Sequence, residues 1–244
     1  MNRILFDKDE ITSDGFVSFS DERAEHVLGI LHGAVGQILK TGEIDGLCGT
    51  SEIVSIEGKK ITVKTNHATE SLKPWIDVLL AMPRPRVFKR MLPQLAQMGV
   101  REIIVIGASK VEKAYWGVKF LDPTVAKPYL VDGLMQAGTS ILPKISTCRN
   151  FKALIESGKY DSRTCKIVAH PANEKLSISL NVSNEDDLPL LAIGPEGGWT
   201  DEEIKMMQEH GFKKMSLGPR ILRTDTATIA LLALLDDKKK PESL

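Results

Sequence analysis

The chain has 244 residues, equal numbers of basic and acidic residues (32 of each), 42% hydrophobic residues and three cysteines. That composition fits one large or two modest domains of about 100–200 residues and excludes a chain too polar to build a core. No apolar run nears the ~18 residues of a membrane span. Three widely spaced cysteines, Cys48, Cys148 and Cys165, without a CxxC pair, exclude a disulfide framework and offer no zinc site.

In chain order, MNRILFDKDE lacks the apolar stretch of a secretory signal, so a cytoplasmic protein is expected. Residues 1–70 read as short strands: ILF (4–6), FVSF (16–19), GQILKT (36–41), SEIVSI (51–56) and KKITVKT (59–65). Gly and Asp stand between them, the pattern of a small antiparallel barrel. One helix is expected in DERAEHVLGIL, where Ala24, Val27, Leu28 and Leu31 recur at helical spacing. HATESLKP (67–74) reads as a linker. Beyond it, EIIVIGA (102–108), KIVAH (166–170) and PLLAIG (189–194) have the continuous apolar character of buried parallel strands. RVFKRMLPQLAQMG, AKPYLVDGLMQAG, NFKALIESG and DEEIKMMQEHG are helical segments between or after them. This alternation predicts an α/β domain with a parallel sheet over residues 71–244. The polar tail DDKKKPESL is expected to fray.

Charge is unevenly spread. Residues 1–70 carry 7 Lys and Arg against 12 Asp and Glu, a net of −5; residues 71–130 carry 10 against 4, a net of +6. PRPRVFKR, with Arg84, Arg86, Lys89 and Arg90, is the densest basic stretch. It is read either as a solvated face or as a footprint for a phosphate backbone.

Two loops near the C-terminus carry more information. In LAIGPEGGWTDEE (191–203) an apolar strand ends in Gly194-Pro195-Glu196-Gly197-Gly198. A helix follows, with Thr200 as N-cap, Glu203 at the capping-box position and Gly211 at C′. The glycines let the backbone turn tightly and approach a ligand. Neither GxGxxG nor a P-loop is present. In LGPRILRTDTATIALLALL (217–235), Leu217-Gly218-Pro219 leads through Arg220, Ile221, Leu222 and Arg223 into a helix expected to be capped by Thr224 or Asp225. Together the loops read as one pocket, with apolar walls from Ile221 and Leu222 and charge at its rim.

GPEGGWTDEE and LGPRILRTDTA, with VAHP (168–171) before them, resemble the signatures of the RsmE-like methyltransferases. These are small-subunit ribosomal RNA uridine-N3 methyltransferases of the SPOUT superfamily. The resemblance implies a trefoil-knotted SPOUT-type α/β domain over residues 71–244, with an N-terminal PUA-like RNA-binding β-barrel domain over residues 1–70. It implies S-adenosyl-L-methionine as cofactor, wrapped by loops 169–172, 194–198 and 217–224. Ala169, His170, Gly194, Pro195, Glu196, Gly197, Leu217, Gly218, Ile221, Leu222 and Thr226 would bind it. The implied partners are small-subunit rRNA or the assembled small ribosomal subunit, and a second copy of the chain, with neither membrane nor metal. Arg220, Arg223, Glu196 and Arg3 become the candidate catalytic residues. Arg3 falls where the family places a functional arginine, and His26, expected to open a helix, also fits the pattern. Departures lie in the middle of the chain. Gln94 and Gln97 replace a usual Lys and Glu, and MQAGT (135–139) keeps only Gln136 and Gly138. His32 stands where Arg is common, and Asp225 replaces Glu.

Uridine N3–H is mostly protonated at neutral pH, so its methylation requires a base or a cation that stabilises the uracil anion. Arg220 and Arg223 suit the cation's role, while Glu196, Asp225 and His170 leave the base unassigned. Two alternatives stand beside this reading: methylation of another RNA position, including ribose 2′-O, and a catalytically inactive RNA-binding module.

Overall fold

The computed structural model describes residues 2–172, 175–176 and 187–237; the tail expected to fray lies outside them beyond Asp237. The chain divides into two units, Met1–Lys73 with Leu130–Leu142, and Pro74–Tyr129 with Pro143–Leu244.

The first unit contains β1 (Ile4–Phe6), β2 (Phe16–Phe19), α1 (Glu22–Gly29), β3 (Ile38–Glu43), β4 (Cys48–Glu57) and β5 (Lys60–Thr69). They form one sheet in the order β1-β3-β4-β5-β2, antiparallel except for the parallel pair β1–β3. Alternation along β2 and β5 buries Val17, Phe19, Ile61 and Val63 against Phe6, Val27 and Ile53. The ladder bulges at Gly49, where a Cβ would stand 2.1 Å from the Asn66 carbonyl oxygen, so only glycine fits. Segment Leu130–Leu142 is tied on by the Asn2 and Arg3 amides, which donate to the Met135 carbonyl at 2.9 and 3.0 Å. His26 lies in the middle of α1, not at its opening, because the helix already begins at Glu22 with Asp21 as N-cap.

The second unit holds β6 (Ile76–Ala81), α2 (Pro85–Gln97), β7 (Val100–Ile106), the first half of α3 (Pro123–Ala137), β8 (Lys144–Cys148) and α4 (Phe151–Glu156). It continues with β9 (Lys166–Ala169), β10 (Lys175–Leu176), β11 (Leu190–Ile193), α5 (Asp201–Glu209), β12 (Lys213–Leu217) and α6 (Thr224–Asp236). The seven-stranded sheet runs β10-β12-β9-β11-β6-β7-β8 and is parallel except at β10–β12. The expected α/β architecture is present, with strands that sequence reading did not name, β6 and β8 among them.

β6 is buried along its whole length, as a central parallel strand covered on both faces must be. One face packs Leu79, Ala81, Ile104 and Ile106 against Phe151, Ile155, Ile204 and Met207 of α4 and α5. On the other side α2 packs against β7 and α6. Thr200 caps α5 in the expected capping box, and Gly211 follows that helix with φ +83°. The expected cap of α6 is corrected. Its N-cap is Arg223, with no side-chain capping bond. Thr224 is already inside the first turn and buried, its carbonyl accepting from Thr228 Oγ1 at 2.7 Å, and the Asp225 carboxylate turns to Arg90.

Candidate functional site

β9, β11 and β12 lie side by side and parallel, so the loops leaving them emerge together at the carboxyl end of the sheet. That edge is where open α/β sheets bind ligands. There the second unit has a cavity of about 420 Å³, inside the range of roughly 300–1,000 Å³ usual for small-molecule sites. Ala169, His170 and Pro171 from the β9 loop contribute to its wall, as do Gly194 to Trp199 after β11 and residues from Met215 onward in and after β12.

Glycine shapes this wall. A Cβ on Gly194 would lie 3.1 to 3.2 Å from the Trp199 indole, and one on Gly197 would lie 3.1 Å from Lys110 Cδ. Gly198 and Gly218 have φ of +70° and +104°, which L side chains rarely adopt. The Gly198 amide donates to the Pro195 carbonyl at 2.8 Å, closing the first turn. Glu203, nearly buried, fastens this loop from below: its carboxylate accepts from the Thr200 amide at 2.9 Å and from the Ser109 amide at 2.7 Å. Lys110 Nζ donates to the Gly197 carbonyl at 2.9 Å. Ser216 fastens the other loops, its hydroxyl oxygen accepting from the Ala172 and Gly218 amides, both at 3.0 Å.

Two residues that line the cavity carry buried polar atoms without partners among the described residues. Trp199 stacks on Phe151 at 5.3 Å between centroids, but its buried Nε1 has no partner among the described residues. His170 Nδ1 is likewise buried and unpartnered. Burial, reinforced by Lys214 and opposed by Asp201, holds the His170 imidazolium below its ordinary range, so the ring is neutral at pH 7. Both residues line the cavity, while these two atoms are themselves buried.

The structure brings together Ala169, His170, Gly194, Pro195, Glu196, Gly197, Leu217, Gly218, Ile221, Leu222 and Arg220 around this cavity. Glu196 is held at the rim, where its Oε1 accepts from the Arg84 amide at 3.2 Å and lies 3.8 Å from the Arg84 guanidinium. Ile221 is 88% exposed and Leu222 36%, so these apolar side chains form an open lip. Arg223 and Thr226 are exposed and do not line the cavity; Thr224 and Ala227 of the same turn do. Arg3 belongs to the first unit, where its guanidinium donates to the carbonyls of Gly138, Thr41 and Gly49 at 3.0, 2.5 and 3.1 Å. Among the expected basic residues, Arg90 pairs with Asp225 and Lys89 lies over aromatic rings, while Arg84 and Arg86 are exposed. Sequence reading missed Trp199 and Ser216 as cavity residues. A Trp directly after a glycine turn was a usable signal, whereas a serine inside a strand carries none. Among the described residues no group of three His, Cys, Asp or Glu could hold a metal ion, and no helix is long and apolar enough to cross a membrane.

Comparison with known proteins gives the cavity its context. Residues 70–236 match the family model of the RNA methyltransferase domain. The ribosomal RNA small subunit methyltransferase E 1 of Borreliella burgdorferi is 30% identical, the match covering 94% of this chain and 95% of that protein. The methyltransferase E of Treponema pallidum is 28% identical, over 96% and 90% of the two chains. Among solved structures, a Legionella pneumophila methyltransferase in complex with S-adenosylmethionine superposes with a TM-score of 0.71 at 25% identity over 97% of both chains. The small subunit methyltransferase E of Neisseria gonorrhoeae gives 0.73 at 21% identity, also over 97% of both. The chain belongs to the RNA methyltransferase domain family, among the small subunit methyltransferases E.

Proposed function

We propose that this protein uses S-adenosylmethionine to methylate N3 of a uridine in small-subunit ribosomal RNA. The observation that carries the reading is the glycine-shaped cavity at the carboxyl ends of β9, β11 and β12, in a chain whose relatives are named for small-subunit rRNA methylation. The residues present suit that cofactor. Gly194, Gly197 and Gly218 let the backbone line the cradle closely, and Leu217, Ile221 and Leu222 supply apolar wall. S-Adenosylmethionine supplies a methyl group already made electrophilic by its sulfonium.

What remains for the chain is to align the base and accept a proton from N3. Arg220 on the cavity wall stabilises the uracil anion as the proton leaves, and Arg223, just outside, holds a neighbouring phosphate. Glu196 and the neutral His170 are the two cavity groups able to take the proton. Arg3 acts indirectly, since three carbonyls already engage its guanidinium.

Three further features belong to this reading. The last loops and α6 form a trefoil knot, supported by β12 lying beyond β9 although it follows β11 in the chain. The first unit is a PUA-like RNA-binding module, supported by its five-stranded, mostly antiparallel sheet. Two copies associate through α6, which leaves Leu234 43% exposed, and they act on the small subunit in the cytoplasm. The test is incubation with labelled cofactor and unmodified small subunits, followed by nucleoside mass spectrometry. The expected product is 3-methyluridine; a ribose-methylated nucleoside, or none, overturns the reading.

A further inference from the structure

Residues 109–121 run beside the cavity and carry Tyr115, Trp116 and Phe120, none of them buried. Two of these rings meet a cation. The Arg149 guanidinium lies 5.3 Å from the Trp116 ring, and Lys89 Nζ lies 5.5 Å from Phe120 and 4.9 Å from Tyr129. Phe120 and Tyr129 meet edge to face at 5.5 Å. Glu112 and Arg84 stand beside the Tyr115 hydroxyl. Its first two residues fix this segment to the cavity rim: the Ser109 amide donates to Glu203, and Lys110 Nζ donates to the Gly197 and Trp199 carbonyls. Lys113 and Lys119 add exposed positive charge.

Core packing does not account for this composition, since none of the three rings is buried. Single-stranded nucleic acid does: aromatic faces stack on bases while neighbouring cations track the phosphates. The chemistry of the proposed reaction asks for such a surface. N3 lies on the pairing edge of uracil, so the target base must be unpaired and taken out of its stack, which leaves the flanking nucleotides without neighbours.

We propose that Trp116 and Phe120, with Arg149 and Lys89, form a stacking rim for the unpaired nucleotides that flank the target base. The proposal rests on the RNA methylation reading and names the surface by which its substrate is held. The charge of residues 71–130, net +6, favours a polyanion over a protein partner.

The test uses the full chain and two probes, a uridine-containing single-stranded oligoribonucleotide and a duplex of equal length, in fluorescence anisotropy over a salt series. Trp116→Ala and Phe120→Ala should each weaken single-strand binding about tenfold, within the range measured for lost base stacking. Trp116→Phe should restore most of the loss, and duplex binding should not change. Arg149→Gln, on an exposed side chain that does not depend on folding of the ring, should flatten the salt slope by about 0.7. Stabilisation by S-adenosylmethionine should persist in every variant. Parental strand binding in both alanine variants, or equal losses on duplex and single strand, would overturn the proposal; a protein-docking patch would give the first result. The functional reading fails separately, if the parent chain binds the strand through this rim and yet methylates no small-subunit RNA.

Discussion

The two ends of the parallel sheet are built on opposite principles. At the amino end, Asp77 of β6 is fully buried, and its carboxylate is answered by Arg101 Nε and Nη2 at 3.0 and 2.6 Å and by Arg163 Nη2 at 2.6 Å. The Asp77 amide donates to the Pro189 carbonyl, and Arg163 also donates to the Leu188 carbonyl. Nearby, burial together with Glu102 and Asp77 pushes the Tyr160 hydroxyl up to about 12, so it stays un-ionised. Charge at this end is closed upon itself. At the carboxyl end, glycine-rich loops shape a cavity whose wall leaves Arg220, Ile221 and Leu222 exposed. The contrast teaches that the same sheet separates holding the fold from holding a ligand, and it says which changes should harm which property.

The largest effect is expected where that separation is cut at the closed end. Asp77→Ala leaves the partly buried Arg163 without its counter-charge, and breaking such a pair costs about 3–5 kcal/mol. Urea unfolding should report a loss of that size, while the folded fraction binds S-adenosylmethionine with unchanged affinity. A variant as stable as the parent would show that the closed end does not hold the fold. The mirror experiment is Gly197→Val. Its new side chain meets first the Lys110 stem, which is flexible and exposed, so the fold should persist. It should forfeit the roughly 2.7 kcal/mol that a cofactor at 100 times its dissociation constant adds to stability. A normal thermal shift with saturating cofactor in this variant would make the loop structural only.

Legibility from sequence divides along the same line. The carboxyl end could be read because its chemistry is local: Gly, Pro and Thr at fixed offsets dictate turns and caps, and Thr200, Glu203 and Gly211 do what their spacing implies. The amino end could not, because Asp77, Arg101 and Arg163 meet only through strand register. β6 was missed although IDVLLA between Pro74 and Pro83 has the continuous apolar run of a buried strand; the aspartate inside it masks the signal. β8, KISTC, buries only Ile145 within an edge strand and has no apolar period to read. The cap of α6 was misplaced because Thr and Asp are good N-caps in isolation, whereas here one is drawn into the helix and the other to Arg90.

Arg220 sharpens the contrast from the open side. It lines the cavity but is exposed, so water screens it more than a buried oxyanion-hole donor, whose removal costs about 10²–10³ in rate. Arg220→Ala should therefore lower methyl transfer about tenfold, some 1.4 kcal/mol of barrier. Unfolding and cofactor affinity should hardly move. Single-turnover rates with saturating RNA would check this, and an unchanged rate would remove Arg220 from the reaction.

The smallest effect concerns a place where the open end borrows the device of the closed end. Arg90 of α2 pairs with Asp225 in the first turn of α6, the turn that also brings Thr224 to the cavity wall. Burial raises the Asp225 carboxyl, but the Arg90 pair and the Thr226 amide outweigh it, and the group lies below its ordinary value of 3.8. A depressed carboxyl adds stability that is present above the unfolded value and lost as pH falls through the folded one. Because Arg90 is 54% exposed, the contribution should stay under about 1 kcal/mol. Arg90→Ala should thus be slightly less stable than the parent at pH 7, and the gap should narrow as pH falls below 3.8 and through the lower value of the folded parent, where Asp225 becomes protonated in both proteins. Added salt should narrow it at neutral pH too, as it does for exposed pairs. Urea midpoints of the two proteins across that range decide the matter. A gap that stays constant through the acid limb would mean that Arg90 supports α6 by packing its aliphatic stem and not by its charge.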